Sequence, residues 1–311
     1  PLRGALVEGR WVTQARVQPA HLASARFADR HTLNMQPVGP LVYASGLKGV
    51  GMQKLAETLA PYGIEPLAGP GRMRDPVPVE LQPGAAVGVT LATGSFDITG
   101  IGTLTWRQGD KVLAFGHPMM GLGLVDMPMT TAWVHDFVPS IARSNKLASA
   151  MAPVGSVLLD GNWAIGGTVG REAPTVPARV VVTNLDRDLT REFHFEVARQ
   201  ELMTGPLLIS VLGGALEATF NAGTRGVGTL EFTVRGEKGV TMHRRDVIWH
   251  PGSVVPVMSW VNDVINILNS NRYQPQQVAS LEARVTLTGV DRSAAVERIY
   301  TEETVARAGK P

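Results

Sequence analysis

The chain has 311 residues, 44% of them hydrophobic and 18% charged, a balance that supplies folded cores and argues against disorder. Its 29 Lys and Arg against 27 Asp and Glu leave a net charge of +2 with the basic residues scattered, so a pI near 9.1 carries no nucleic-acid footprint. With no cysteine there is no disulfide framework or zinc-finger pattern, and the length sets an expectation of about two domains.

Residues 11–18, WVTQARVQ, alternate as a strand does, and HLASARFADRH after them reads as a loop or an exposed helix. Val38 to Ala44 is a short apolar run broken by Ser45-Gly46. Met52, Leu55, Ala56 and Leu59 then fall at i, i+3, i+4 and i+7 on one helical face. Pro61 and Gly63 stop that helix, and Ile64 to Leu67 returns as a strand, which makes a small β-α-β unit. The Gly- and Pro-dense GPGRMRDPVP reads as a linker, giving an N-terminal region of residues 1–80.

From Pro83 to Ala198 short strands punctuated by glycine favour a barrel or sandwich. Residues Gly100 to Met119 read GIGTLTWRQGDKVLAFGHPM, two β-type runs joined at Gly109-Asp110 and ending in His117 between Gly116 and Pro118. A histidine where the backbone leaves a sheet suits a general base; the bland alternative is a ring satisfied by strand-end carbonyls. Phe193, Phe195 and Val197 alternate with Glu192, His194 and Glu196, which makes His194 a solvated strand residue. The hairpin Thr103 to Phe115 and the strand Phe193 to Val197 are expected to share one core, with His117 at its rim. Phe137 to Met151 is compatible with a helix face at Ile141, Asn145 and Ala148 or with a strand.

Beyond residue 200 the β character continues, with alternation around Leu230, Phe232 and Val234 and again around Leu281, Ala283, Val285 and Leu287. One helix is expected between them. Ser253 is its N-cap, Pro256 lies in its first turn, and Val257, Trp260, Val261, Val264, Ile265 and Leu268 form its apolar stripe. Residues 81–205 are thus a β-rich core and 206–311 a C-terminal accessory region. Gly166-Gly167-Thr168-Val169-Gly170 and Gly223 to Gly228 lack the Lys-Ser/Thr of a phosphate loop and read as β-turns.

The run GIGTLT followed by AFGHPM resembles the SpoIVB-type serine peptidase family, the stage IV sporulation protein B signalling peptidases, whose pattern is close to GIGTLTF…ALGH. Weaker matches at Val87 to Leu91, Pro139-Ser140-Ile141, Pro153-Val154-Gly155 and Phe193 to Val197 extend it over roughly Pro83 to Ala198. The resemblance implies a mainly β fold built on a chymotrypsin-like β-barrel core, here with a small β-α-β N-terminal unit and a C-terminal β-rich domain containing one helix. It also implies His117 as general base, and it favours strand for Phe137 to Met151.

The family's nucleophile motif GMSGSP is not present; the corresponding region reads Leu207 to Leu216, LLISVLGGAL. The chain resembles the downstream portion of an envelope-type relative whose serine lies in an upstream segment, and a start at Pro1 with a TEETVARAGK tail agrees with that expectation. Ser156 is an alternative nucleophile, although Gly155-Ser156 lacks a glycine-flanked loop able to build an oxyanion hole. Asp126 follows His117 closely enough to orient the imidazole, and Asp136 is a further acid of the same kind.

The seven histidines show no HExxH or HxH spacing, and neither a metal nor a cofactor is expected. No apolar run reaches the ~20 residues of a membrane span, and no basic-then-apolar leader is present. The expected partner is a protein or peptide substrate, including the chain's own upstream segment, with no nucleic acid. The resemblance points to a bacterial, extracytoplasmic location. Two classes stay open: a serine endopeptidase, or an inactive peptidase-like scaffold or binding module of the envelope.

Overall fold

The computed structural model describes residues 40–71, 79–139, 145–220, 226–250 and 258–290, four short strands before residue 35, and residues 294, 296–298 and 300. The 21–31 segment, most of the expected linker, Ser140-Ile141, the Ser253 cap with Pro256, and the TEETVARAGK tail lie outside the described residues. Strand is the dominant element, so the protein is mainly β as expected. The chain divides into two compact units, residues 1–47, 55–175 and 198–203 in one, and residues 48–54, 176–197 and 204–311 in the other.

In the first unit β1 (Ala5–Val7) pairs with β2 (Arg10–Val12), and β3 (Arg16–Gln18) pairs with β4 (Thr32–Asn34). Strand β5 (Leu41–Ser45) and β6 (Pro66–Ala68) pair in parallel, Val42 opposite Pro66, as the return of a β-α-β connection requires. Helix α1 (Gly49–Leu59) is that connection. Its Leu55 and Leu59 are fully buried while Gln53 and Glu57 are exposed, the 3.6-residue period expected. Gly63 terminates the turn that follows with φ +68°, a conformation costly for any residue with a Cβ.

The rest of this unit is six antiparallel strands: β7 (Ala86–Gly94), β8 (Asp97–Gln108), β9 (Lys111–Ala114), β10 (Gly123–Val138), β11 (Asn145–Asp160) and β12 (Ile165–Val169). Their ladders run β7 to β10, β10 to β11, β11 to β12, β12 to β9, β9 to β8, and β8 back to β7, so the pairings close on themselves. A closed cycle leaves no free edge among these six. Val87, Val89, Leu91, Ile98, Leu104, Met127, Met129 and Val157 are buried within it.

The ambiguous Phe137 to Met151 segment is strand at Phe137-Val138 and from Asn145 to Met151. The glycines at 166 and 167 are not a β-turn, contrary to expectation; they lie inside β12. A Cβ on Gly167 would stand 2.6 Å from the Ser156 carbonyl oxygen, and one on Gly155 2.3 Å from that of Thr168, so the two strands approach closer than side chains allow.

In the second unit β13 (Thr175–Asn184) pairs in parallel with β17 (Val278–Thr288), which pairs antiparallel with β15 (Gly226–Gly236), itself antiparallel to β16 (Thr241–His250). β14 (Leu189–Ala198) neighbours β13. The strand Phe193 to Val197 therefore belongs to this unit and not to the closed cycle that holds the Thr103 to Phe115 hairpin, a departure from the shared core expected. Its alternation is as read, with Phe193, Phe195 and Val197 buried and His194 exposed beside Glu192.

Among the described residues two helices, not one, accompany these strands. α3 (Met258–Asn269) buries Met258, Val261, Val264, Ile265 and Leu268, the stripe read from the sequence. α2 (Thr204–Thr219) covers the LLISVLGGAL segment and is buried on nearly every side. A helix apolar all round has no 3.6-residue signal, and Gly213-Gly214 reads as a break. In the fold those positions are close approaches: a Cβ on Gly213 would lie 3.3 Å from the Met258 sulfur, and one on Gly205 3.1 Å from Ile265.

Candidate functional site

The hairpin of β8 and β9 pairs Gln108 with Lys111 across a two-residue turn whose Gly109 has φ +60°. Past Ala114 the backbone turns sharply out of the sheet, with Phe115 at φ +72° and Gly116 at φ +75°. A positive φ at phenylalanine is sterically costly and needs surrounding contacts to hold it. Those contacts explain the GIGTLT motif. A Cβ on Gly102 would fall 2.1 Å from the Phe115 ring, and one on Gly100 2.6 Å from the Met119 methyl. The two glycines of β8 thus form a bare platform on which Phe115 and Met119 sit, and His117 is carried between those anchors. The Phe115 N–H donates to the Thr103 carbonyl at 2.9 Å.

A second fixture comes from Asp160, buried at the end of β11. Its carboxylate accepts the backbone N–H groups of Met119 at 2.7 Å, Met120 at 2.8 Å and Leu122 at 3.2 Å. Three such bonds satisfy a buried charge and hold the loop that follows the histidine. Asp160 was not among the residues singled out from sequence; a lone Asp before Gly161-Asn162 reads as a turn residue.

The His117 ring is exposed. Its Nδ1 lies 2.7 Å from the Pro118 carbonyl oxygen, and because a carbonyl can only accept, Nδ1 carries the proton. In the neutral ring Nε2 is then the nitrogen with the lone pair. The ring stands 5.6 Å from that of Phe115, tilted by 53°.

Asp126 and Ser156 are brought together, but with each other. Ser156 is fully buried and its hydroxyl donates to the Asp126 carboxylate, which also pairs with Arg171 at 2.5 Å. Asp126 raises the Arg171 pKa by hydrogen bond and charge. A sealed hydroxyl committed to a carboxylate is not presented to a substrate, and Asp126 spends its oxygens on Ser156 and Arg171.

Two further polar groups stand on β10 and β11. The Lys146 amine donates to the Thr103 hydroxyl and reaches the Gly102 carbonyl at 3.5 Å; burial holds its pKa below the usual lysine range. His135 Nε2 lies 2.8 Å from the Ser149 hydroxyl oxygen. That hydroxyl gives its only proton to the Gly71 carbonyl at 2.5 Å, so the imidazole donates to the serine and does not act as its base. Asp136 is exposed and caps the Phe137 N–H at 2.7 Å. No group of His and carboxylates able to hold a metal occurs among the described residues. No helix of the described residues is long and apolar enough to cross a membrane.

No protein-family model matches the chain, and no curated protein matches it.

Proposed function

We propose that the chain carries the general-base half of a SpoIVB-type serine endopeptidase, with His117 as the base and the nucleophilic serine contributed by a segment outside residues 1–311. The observation that carries this reading is the donation of Nδ1–H to the Pro118 carbonyl. It leaves an exposed Nε2 lone pair, the atom that must accept a serine proton. In a triad a carboxylate holds Nδ1–H; here the backbone carbonyl takes that place, which orients the ring without adding a charge to stabilise the imidazolium. Two features add support. The six-stranded antiparallel cycle is compatible with a chymotrypsin-like barrel, and both GIGTLT glycines serve to seat the histidine loop. The substrate is a protein or peptide, and the location extracytoplasmic.

A second reading, an inactive peptidase-like scaffold, is favoured by the state of Ser156, closed from solvent and bonded to Asp126. A serine-directed fluorophosphonate probe separates the two. The 311-residue chain should remain unlabelled, because a reactive serine needs base and oxyanion hole together. A longer protein that includes an upstream GMSGSP segment should label, and His117→Ala in it should reduce labelling by roughly 10³-fold or more. Silence of the longer protein would favour the scaffold. Labelling of the shorter chain at Ser156 would overturn the two-segment site.

A further inference from the structure

One row of side chains crosses five strands of the closed cycle on its outer face. Trp106 of β8 is opposite Leu113 of β9, Leu113 is opposite Gly166 of β12, Gly166 is opposite Leu159 of β11, and Leu159 is opposite Leu124 of β10. Directly paired residues project from the same face of a sheet. Along β9 Lys111 and Leu113 are exposed while Val112 and Ala114 are buried, which identifies that face as the outer one. Trp106, Leu113 and Leu159 are each 42% exposed and Leu124 87%, and Trp163, in the turn between β11 and β12, is 88% exposed. Gly166 is the floor of the row, since a Cβ there would lie 3.6 Å from Leu113 and 3.7 Å from Leu159.

Single exposed apolar residues are ordinary, but a contiguous row of this kind is not. Two tryptophans and three leucines at these exposures offer roughly 650 Å², below the ~800 Å² per partner of a stable dimer. Four strand spacings make the row about 19 Å long, the reach of roughly six extended residues. The row contains no ionisable group, and Lys111 of β9 pairs with Asp110 of the preceding turn at 3.5 Å. It also lies at both roots of the His117 loop, with Leu113 four residues before the histidine and Leu124 seven after it.

We propose that this row binds an extended, uncharged peptide segment with large apolar side chains, and that such segments are the substrate class presented to His117. The second clause rests on the peptidase reading, whereas the binding does not.

The test is fluorescence anisotropy with two short labelled peptides, one alternating leucine with serine and one alternating aspartate with serine. The leucine peptide should bind the 311-residue protein and the aspartate peptide should not. Leu113→Glu and Leu159→Glu should each weaken binding roughly tenfold or more, with melting temperatures close to the parent because both side chains are solvent-accessible. Trp163→Ser, in a turn, gives a third variant independent of strand packing. His117→Ala should bind the leucine peptide as the parent does. Failure of the leucine peptide to bind, or binding by both Glu variants as tight as the parent's, overturns the proposal. So does a parent protein that sediments as a dimer and becomes monomeric on Leu159→Glu, because the row then belongs to a second copy. Intact peptide binding with a fluorophosphonate-silent longer protein would sink the peptidase reading alone.

Discussion

The Asp160 carboxylate accepts three backbone N–H groups from residues 38 to 41 positions earlier in the chain and does so while buried. Hydrogen bonds to a charged group contribute more than neutral ones, and their removal strands three donors in a loop that has no ladder of its own. Asp160→Ala should cost about 3 kcal/mol in urea unfolding and raise amide exchange at Met119, Met120 and Leu122, whereas His117→Ala, at an exposed ring, should stay within about 0.5 kcal/mol. Equal stability of the two variants would show that the loop is held by Phe115 and Met119 alone. The histidine itself was legible, because Gly-His-Pro at the end of a β-type run marks a strand exit. Its supports were not. The value of Gly100 and Gly102 becomes visible only once Met119 and Phe115 are seen lying on them, and the Asp160 bonds cross about forty residues that no local pattern connects.

Among the elements, those with one buried face were readable and those buried all round were not. α1, α3 and β14 each expose one side, so their period appears in the letters: Leu55 and Leu59, then Val261, Val264 and Ile265, then Phe193 and Phe195. α2 lacks such contrast, and the β12 glycines resemble a turn until the adjoining strands are in place. The α3 stripe gives a direct test of its role. Val261 is fully buried and α3 packs on α2, β15 and β17, so Val261→Asp brings a carboxylate without a partner into an apolar seam. Loss of several kcal/mol is expected, enough to unfold the second unit at ordinary temperature, read as an early transition in thermal melting. A melting curve superimposable on the parent's would mean the stripe tolerates water and is not core.

At the scale of the whole chain, the mainly β composition agrees with the expectation from glycine-punctuated alternation, while the grouping of Phe193 to Val197 with the second unit could not be read because period two fixes a strand's faces and not its neighbours. Closure of the six-stranded cycle is likewise a property of pairing, and it depends on β7. Val87, Gly88 and Val89 pair with Gly102, Ile101 and Gly100 of β8 on one side and with Thr131, Thr130 and Met129 of β10 on the other. Gly88 is a tight point of that seam: a Cβ there would stand 2.5 Å from the Thr130 hydroxyl oxygen and 2.8 Å from the Thr99 methyl. Both threonines are buried, so neither can swing into solvent to make room. Gly88→Val should therefore destabilise the protein by about 2 to 3 kcal/mol through overpacking. In a closed cycle the strain is shared by both neighbours, and hydrogen exchange should quicken in β8 and β10 together and, through Gly100 and Gly102, in the loop that carries His117. Faster exchange in only one of the two strands would mean that the other ladder contributes little and that the cycle is open at β7. Because the same β8 glycines pair with β7 and seat Phe115 and Met119, opening the seam should also loosen the histidine, which ties the integrity of the cycle to the geometry of the proposed base.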